Sequence, residues 1–286
     1  MLKTILTSIM LFICFAIAFA QDKEPDRAEV DRLTDSVIAE GKALFRSEWA
    51  SWHGTDIFFE RFKERENQIG GYVSYETADN LINVFYTKGD KPQTMGIITF
   101  GKDFNIQNYQ LDTVARPLNA IEMDLYTLRA AAFKALHTDT TFKMYLNTDF
   151  NVIPFINKGV KRVYILTSPK ALRVVALGND YQLTVDNNNQ ITSVKRIHNT
   201  LISTDTKGQK GMTLMHTHLI GKDEIMSATD ICTLMLYEKE NDLKQAYVMS
   251  KKYVSIWDCE KDTLIVLTKQ AWDRINADQK TRHPKQ

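Results

Sequence analysis

Strand-like runs in this chain follow one another directly instead of alternating with helices, and this order restricts the fold more than any other feature. Tyr72, Val73 and Tyr75, then 81–86, then 95–100 are β-rich and separated by turn-type residues, Asp79-Asn80 and Lys88-Gly89-Asp90-Lys91-Pro92. Past residue 140 come the runs 162–167, 173–185, 191–203 and 212–219, and later 246–256 and 263–268. Helical periodicity marks three clear segments. Val30, Leu33, Val37, Ile38, Gly41, Leu44 and Phe45 share one face. Asn119 and Glu122 have capping-box spacing ahead of Ile121, Leu125, Leu128, Ala132 and Leu136. A third segment, 227–238, aligns Ile231, Leu234 and Met235. This order predicts an α+β fold, with antiparallel sheets and a few packed helices, and not a doubly wound sheet. A soft boundary falls near residue 140, between a helix–meander–helix region, 21–139, and a β-rich region with one central helix, 140–286. No linker or internal repeat separates them, so one continuous domain fits equally well.

The turns carry further expectations. Asp186-Asn187-Asn188-Asn189 and the segment 205–211 each suit a hairpin. Gly178-Asn179-Asp180-Tyr181 interrupts a strand run and reads as a bulge or tight turn. The polar ends, 21–29 and 278–286, read as loose. The aromatic stretch Trp49, Trp52, His53, Phe58, Phe59 and Phe62 is interrupted by Gly54-Thr55. It could form a sugar-stacking platform with Asp56 and Glu60 as acids. Helical spacing of Trp and Phe favours core, however, and those two carboxylates are i, i+4 neighbours with no partner on another element.

The N-terminus adds a compartment. Lys3, an apolar run to Phe19 and the triplet Ala18-Phe19-Ala20 form a secretory signal pattern, 1–20, with cleavage after Ala20. The run is too short to span a membrane. Cys14 is preceded by Phe12 and Ile13, not by the small residue that lipid modification needs. The expected home is periplasmic or extracellular, with no membrane span after cleavage. Removing the leader takes away Lys3 and no acid, so 36 basic against 35 acidic residues become balanced. Such a balance counts against a nucleic-acid partner, which needs a basic stripe. Export also leaves Cys232 and Cys259 either bridged or as buried thiols.

Chemistry concentrates in His216-Thr217-His218, followed by Ser227 and Asp230. Histidines at i, i+2 on a strand point to one face, so both imidazoles can reach one ion. An Asp at the start of the next helix adds an oxygen ligand and leaves a position for water, as in a catalytic zinc site. His198 precedes the 205–211 turn; if that turn closes a hairpin, His198 lands beside His216 and His218. Ser227 and Asp230 also fit a helix cap that needs no metal.

The stretch 216–230 resembles the JAMM/MPN metalloprotease motif, in which His-x-His and a downstream Asp bind zinc and an upstream Glu is the general base. The resemblance implies His216, His218 and Asp230 as zinc ligands, with Ser227 at the motif's serine. The spacer 219–226 is one residue longer than the pattern, and Leu219 stands where proline is common. No Glu lies between Glu122 and Glu224, so the base would be Glu122 or an Asp such as Asp180. The chain as a whole resembles exported bacterial proteins. Two functions therefore compete: an exported binding or structural module without enzymatic activity, and a zinc-type hydrolase using His216, His218, Asp230 and His198. The missing Glu favours the first.

Overall fold

The computed structural model describes residues 27–218 and 224–282. The signal pattern, its cleavage point and Cys14 lie outside these residues. The first helix, α1 (Arg27–Phe62), runs unbroken through both the amphipathic segment and the aromatic stretch. Its first residues, expected to be loose, are already helical. Gly54 does not interrupt it. A Cβ there would lie 2.3 Å from Asn83 Oδ1, so the glycine lets a neighbouring strand approach the helix. Trp49 and Phe58 are core, and the Phe58 ring stacks on Phe85 with centroids 4.0 Å apart. Glu60 is exposed.

A short 3-10 helix (Lys63–Gln68) leads into β1 (Ile69–Glu76), β2 (Asn80–Thr87), β3 (Thr94–Gly101) and β4 (Tyr109–Asp112). These pair antiparallel in chain order as the expected meander. Helix α2 (Ala120–Thr138) follows, with both halves of the Asn119/Glu122 capping box formed. Next come β5 (Thr148–Asn157), β6 (Val160–Pro169), β7 (Val174–Gly178), β8 (Tyr181–Val185), β9 (Ile191–Arg196) and β10 (Leu201–Asp205). β5, β6, β8 and β9 form a second antiparallel sheet, while β7 and β10 pair as a separate ribbon.

The last part contains β11 (Met212–Thr217), α3 (Ala228–Tyr237), β12 (Leu243–Met249), β13 (Tyr253–Asp258), β14 (Thr263–Thr268) and α4 (Lys269–Arg282). The expected run 246–256 is thus two antiparallel strands turning at Ser250. The polar end is helical to Arg282; its i, i+4 pairs Lys269–Asp273 and Asp278–Arg282 support a helix with no buried residue. The architecture is α+β. One strand pair departs from the antiparallel pattern: β11 and β12 run parallel, joined through α3 as a single βαβ crossover.

One apolar cluster joins Leu44, Phe58 and Met95 to Ile153, Tyr164 and Cys232, so residues on both sides of 140 share a core. Cys232 and Cys259 are buried free thiols, and no bridge joins them. No helix among the described residues is long and apolar enough to cross a membrane.

Helix α1 crosses α3 at Gly41. A Cβ on Gly41 would stand 2.7 Å from Ile231 Cβ and 3.0 Å from the Ala228 carbonyl oxygen. Both contacts fall on the first turn of α3, beside Asp230. Gly41→Ala should therefore cost about 1–3 kcal/mol by overpacking, read from urea unfolding. An unchanged midpoint would contradict this helix contact.

Candidate metal centre

Three separate chain segments converge on one point. The first is the end of β11. Its burial alternates, with Leu214 and His216 inward and Thr213, Met215 and Thr217 outward. His218 keeps the phase of His216, and its backbone N–H donates to the Met249 carbonyl at 2.9 Å, extending the register one residue beyond the strand. Both imidazoles therefore reach the same side, as strand parity predicts.

The second segment is the N-terminus of α3. Ser227 Oγ accepts from the Asp230 backbone N–H at 3.0 Å, and Asp230 Oδ2 accepts from the Ser227 backbone N–H at 2.9 Å. The cap is complete. It also aims the carboxylate: Asp230 is 1% exposed, with Oδ1 facing His216 and Oδ2 facing His198 and His218. Because α3 is the crossover between parallel strands, its first turn must lie near the C-terminal end of β11. Open parallel sheets place ligands at that end of their strands.

The third segment supplies His198 by a route other than the expected hairpin. Residues 205–211 do not close a β10–β11 hairpin, because β10 pairs with β7 and β11 with β12. Instead β7–β8 and β9–β10 are two halves of one long hairpin closed by the 186–190 turn, and it bends sharply where it passes from one sheet to the other. Gly178-Asn179-Asp180 is that bend on one strand; His198 sits on the other. It is a sheet switch and not a bulge within one strand. Gly178 has φ +92° and a Cβ there would lie 2.3 Å from the Thr200 carbonyl oxygen. Asn179, at φ +51°, is fully buried and donates to the Lys143 carbonyl and Thr167 Oγ1. The bend is thereby fixed, and it opens the ladder so that His198 turns toward β11.

The four side chains offer ligand atoms within 4.8 Å of one another, the only such group among the described residues. His198 Nε2 is 2.9 Å from His218 Nε2, which is 3.2 Å from His216 Nε2. Asp230 Oδ2 lies 3.5 Å from both His198 Nε2 and His218 Nε2, and Oδ1 lies 3.4 Å from His216 Nε2. Bonds of about 2.0–2.1 Å to a tetrahedral ion put neighbouring ligand atoms about 3.3 Å apart. The His–His and His–Asp separations of 2.9–3.5 Å lie near that edge, while the full set spans up to 4.8 Å, so the side chains would draw in slightly around an ion.

Proton accounting points the same way. His198 Nδ1 lies 2.6 Å from Asp180 Oδ1, and Asp180 is itself buried. In the neutral ring that N–H is spent on Asp180, which leaves the Nε2 lone pair on the cluster side, 2.9 Å from His218 Nε2. Asp230 Oδ1 and His216 Nδ1 are buried without a hydrogen-bond partner among the described residues. Burial alone would raise the Asp230 carboxyl, but positive charge on His198 and His216 when those rings are protonated holds it well below the ordinary carboxylate range, and a metal ion would take the place of those protons. A converging set of lone pairs and a deprotonated carboxylate suits a cation.

The three imidazoles also line a cavity of about 170 Å³ with Asn199, Thr200 and Thr217. Asp230 lies behind them, away from that cavity. The candidate bases from the sequence fare differently. Glu122 is held at the start of α2 by Arg116, at 2.7 Å, and by the Asn119 cap; it belongs to another cluster. Asp180 is at the site but is engaged by His198. Sequence reasoning named Asp180 only as a substitute base and missed its role as the His198 partner. The signal available was its place beside Gly178-Asn179. No protein-family model, curated protein or solved structure matches this chain.

Proposed function

We propose that this protein binds one transition-metal ion of the zinc type through His198, His216, His218 and Asp230. The observation that carries the reading is a set of three Nε2 atoms and a carboxylate, buried or half-buried, whose ligand atoms lie within 4.8 Å of one another and in which Asp230 Oδ1 is buried without a hydrogen-bond partner among the described residues. Nitrogen-rich ligands with one carboxylate suit zinc and its neighbours rather than calcium or magnesium. The leader pattern at 1–20 supports metal capture outside the cytoplasm. Calorimetric titration of zinc into chelator-treated protein lacking an affinity histidine tag tests the site. One equivalent should bind to wild type and none tightly to His216→Ala; equal binding by both would refute it.

Asp180 belongs to this reading as the residue that orients His198. Outer partners of metal-bound histidines carry about 10–100-fold in affinity. Asp180→Asn should weaken zinc by that amount in a competition titration, while unchanged affinity would mean that the His198 contact is unrelated to the metal.

A zinc-dependent hydrolase is the second reading, favoured by the cavity on the imidazole side, which would leave a bound ion one face for water. Against it, no further carboxylate joins the four ligands among the described residues except Asp180, while Glu224 pairs with Lys252 at 3.2 Å. Metal holding therefore ranks above hydrolysis. Acetohydroxamate, a small zinc-binding anion, should bind the loaded protein and not the metal-free one if that face is open. Equal failure with both would remove the hydrolase reading and leave the binding module.

A further inference from the structure

The aromatic stretch of α1 does not end in the core. Glu48, Ser51, Trp52, Thr55 and Asp56 recur at i, i+3, i+4, i+7 and i+8, one stripe of the helix. That stripe lines a cavity of about 320 Å³ away from the metal ligands, closed on other sides by Tyr72, Asn151 and Tyr237. The size falls at the lower end of small-molecule sites, which are mostly apolar or aromatic with a few directed polar groups. Glu48 is its floor and is 6% exposed. Asp56 and Glu240 are at its exposed rim, and Leu172, 89% exposed, stands at the edge.

We infer that this cavity binds a small organic ammonium ion, with Trp52, Tyr72 and Tyr237 as aromatic walls and Glu48 as the buried counter-charge. Trp52 and Tyr237 lie with ring centroids 6.0 Å apart, tilted at 45°, which gives the cavity two adjacent aromatic walls. Tyr72 already carries a cation: the Arg129 guanidinium sits 4.3 Å from its ring centroid. Cations are attracted to ring faces at such distances. Three carboxylates, Glu48, Asp56 and Glu240, line the cavity against Lys170 and Arg173 at the rim, and Lys170 is paired with Asp149 at 3.1 Å.

The charges around Glu48 leave it short of compensation. Arg129 from α2 acts on it, and Ser51 and Asn151 bond to it, yet burial still pushes its carboxyl up to about 7. Tyr72 and Tyr237 in turn have their hydroxyls pushed upward by burial, with the Glu48 charge adding to it. The floor is thus a carboxyl that a second cation would help to ionise. Its proton would pass to the buffer on binding, so affinity should rise with pH across the range where Glu48 titrates.

Choline and ethanolamine are suitable probes, with the neutral tert-butyl analogue of choline as control, read by calorimetry and tryptophan fluorescence on the whole exported chain. At least one ammonium should bind at a single site and the neutral analogue should not. Trp52→Leu, which keeps apolar volume, should weaken binding by about tenfold, the loss of one cation–π contact. Glu48→Gln should weaken it further and remove its pH dependence. Zinc loading should not alter either result. The proposal fails if neither ammonium binds to folded wild type, if the neutral analogue binds as well, or if both folded variants bind like wild type.

Discussion

Asp230→Asn is expected to separate the two roles that one carboxylate performs. Asparagine keeps an oxygen that can accept the Ser227 backbone N–H, so α3 stays capped. It removes the charge that faces His198, His216 and His218 at 3.4–3.5 Å. Zinc affinity should fall by more than about a hundredfold, beyond what outer partners of metal ligands carry. Asp230→Ala should lose the metal and, in addition, about 1 kcal/mol of helix capping. Thermal unfolding shows the difference. Zinc at a thousandfold over its dissociation constant should stabilise wild type by about 4 kcal/mol. That corresponds to a rise of roughly 8–16 °C for a chain of this size. At the same zinc concentration Asp230→Asn should keep at most about 1.4 kcal/mol of that gain and Asp230→Ala less. If Asp230→Asn keeps the full rise, the carboxylate is a cap alone.

The second large effect concerns pH. Glu48 is pushed up to about 7 by burial, against the pull of Arg129 and its hydrogen bonds, from an ordinary value of 4.5. The folded protein therefore holds a proton that the unfolded chain releases. Stability from this group is fullest below about pH 4.5, declines as pH rises toward 7, and is level above it. Two and a half pH units of difference correspond to about 3 kcal/mol. Glu238 acts in the same direction: burial, then its hydrogen bond to Asp262, push it up to about 8. Glu48→Gln leaves Glu238 in place and removes only the Glu48 slope. Urea unfolding at about pH 5 and about pH 8 should show wild type losing up to about 3 kcal/mol more than the variant over that interval. Parallel changes would mean that Glu48 is ionised in the folded state throughout.

The site was legible where local chemistry decides geometry. Both capping boxes, Asn119/Glu122 and Ser227/Asp230, follow from side-chain spacing and formed as read. The shared face of His216 and His218 follows from strand parity. The α+β class follows from the clustering of strands. His198 reached the cluster, but the hairpin arithmetic that suggested it was incorrect. A turn signal such as 205–211 states that the chain reverses, not which strand it then joins. β10 had already taken β7 as its neighbour, and β11 took β12 across a helix. Pairing of that kind is decided by tertiary competition for strand edges, which no local window contains.

Other misses have equally specific causes. Gly54 interrupts the aromatic run but not the helix, and there it serves the approach of Asn83. Thr148–Asn157 is a strand absent from the expected runs; Pro154 inside it weakens the local signal, and the strand lies at the edge of its sheet, where proline is tolerated. α4 has only Trp272, which rests on Tyr247, and Ile275 as large apolar residues, too few to give a hydrophobic periodicity. The Glu48 stripe escaped notice because a buried acid and a half-buried Trp on a helix look like ordinary surface and core until the opposite wall is known.

The central claim is that one metal ion sits among His198, His216, His218 and Asp230. Diffraction from zinc-loaded crystals, recorded on both sides of the zinc absorption edge, tests it directly. A single anomalous peak is expected about 2.0–2.1 Å from the three Nε2 atoms and at a similar distance from an Asp230 oxygen. A stoichiometric zinc peak elsewhere, or none at this cluster in crystals soaked to saturation, would contradict it.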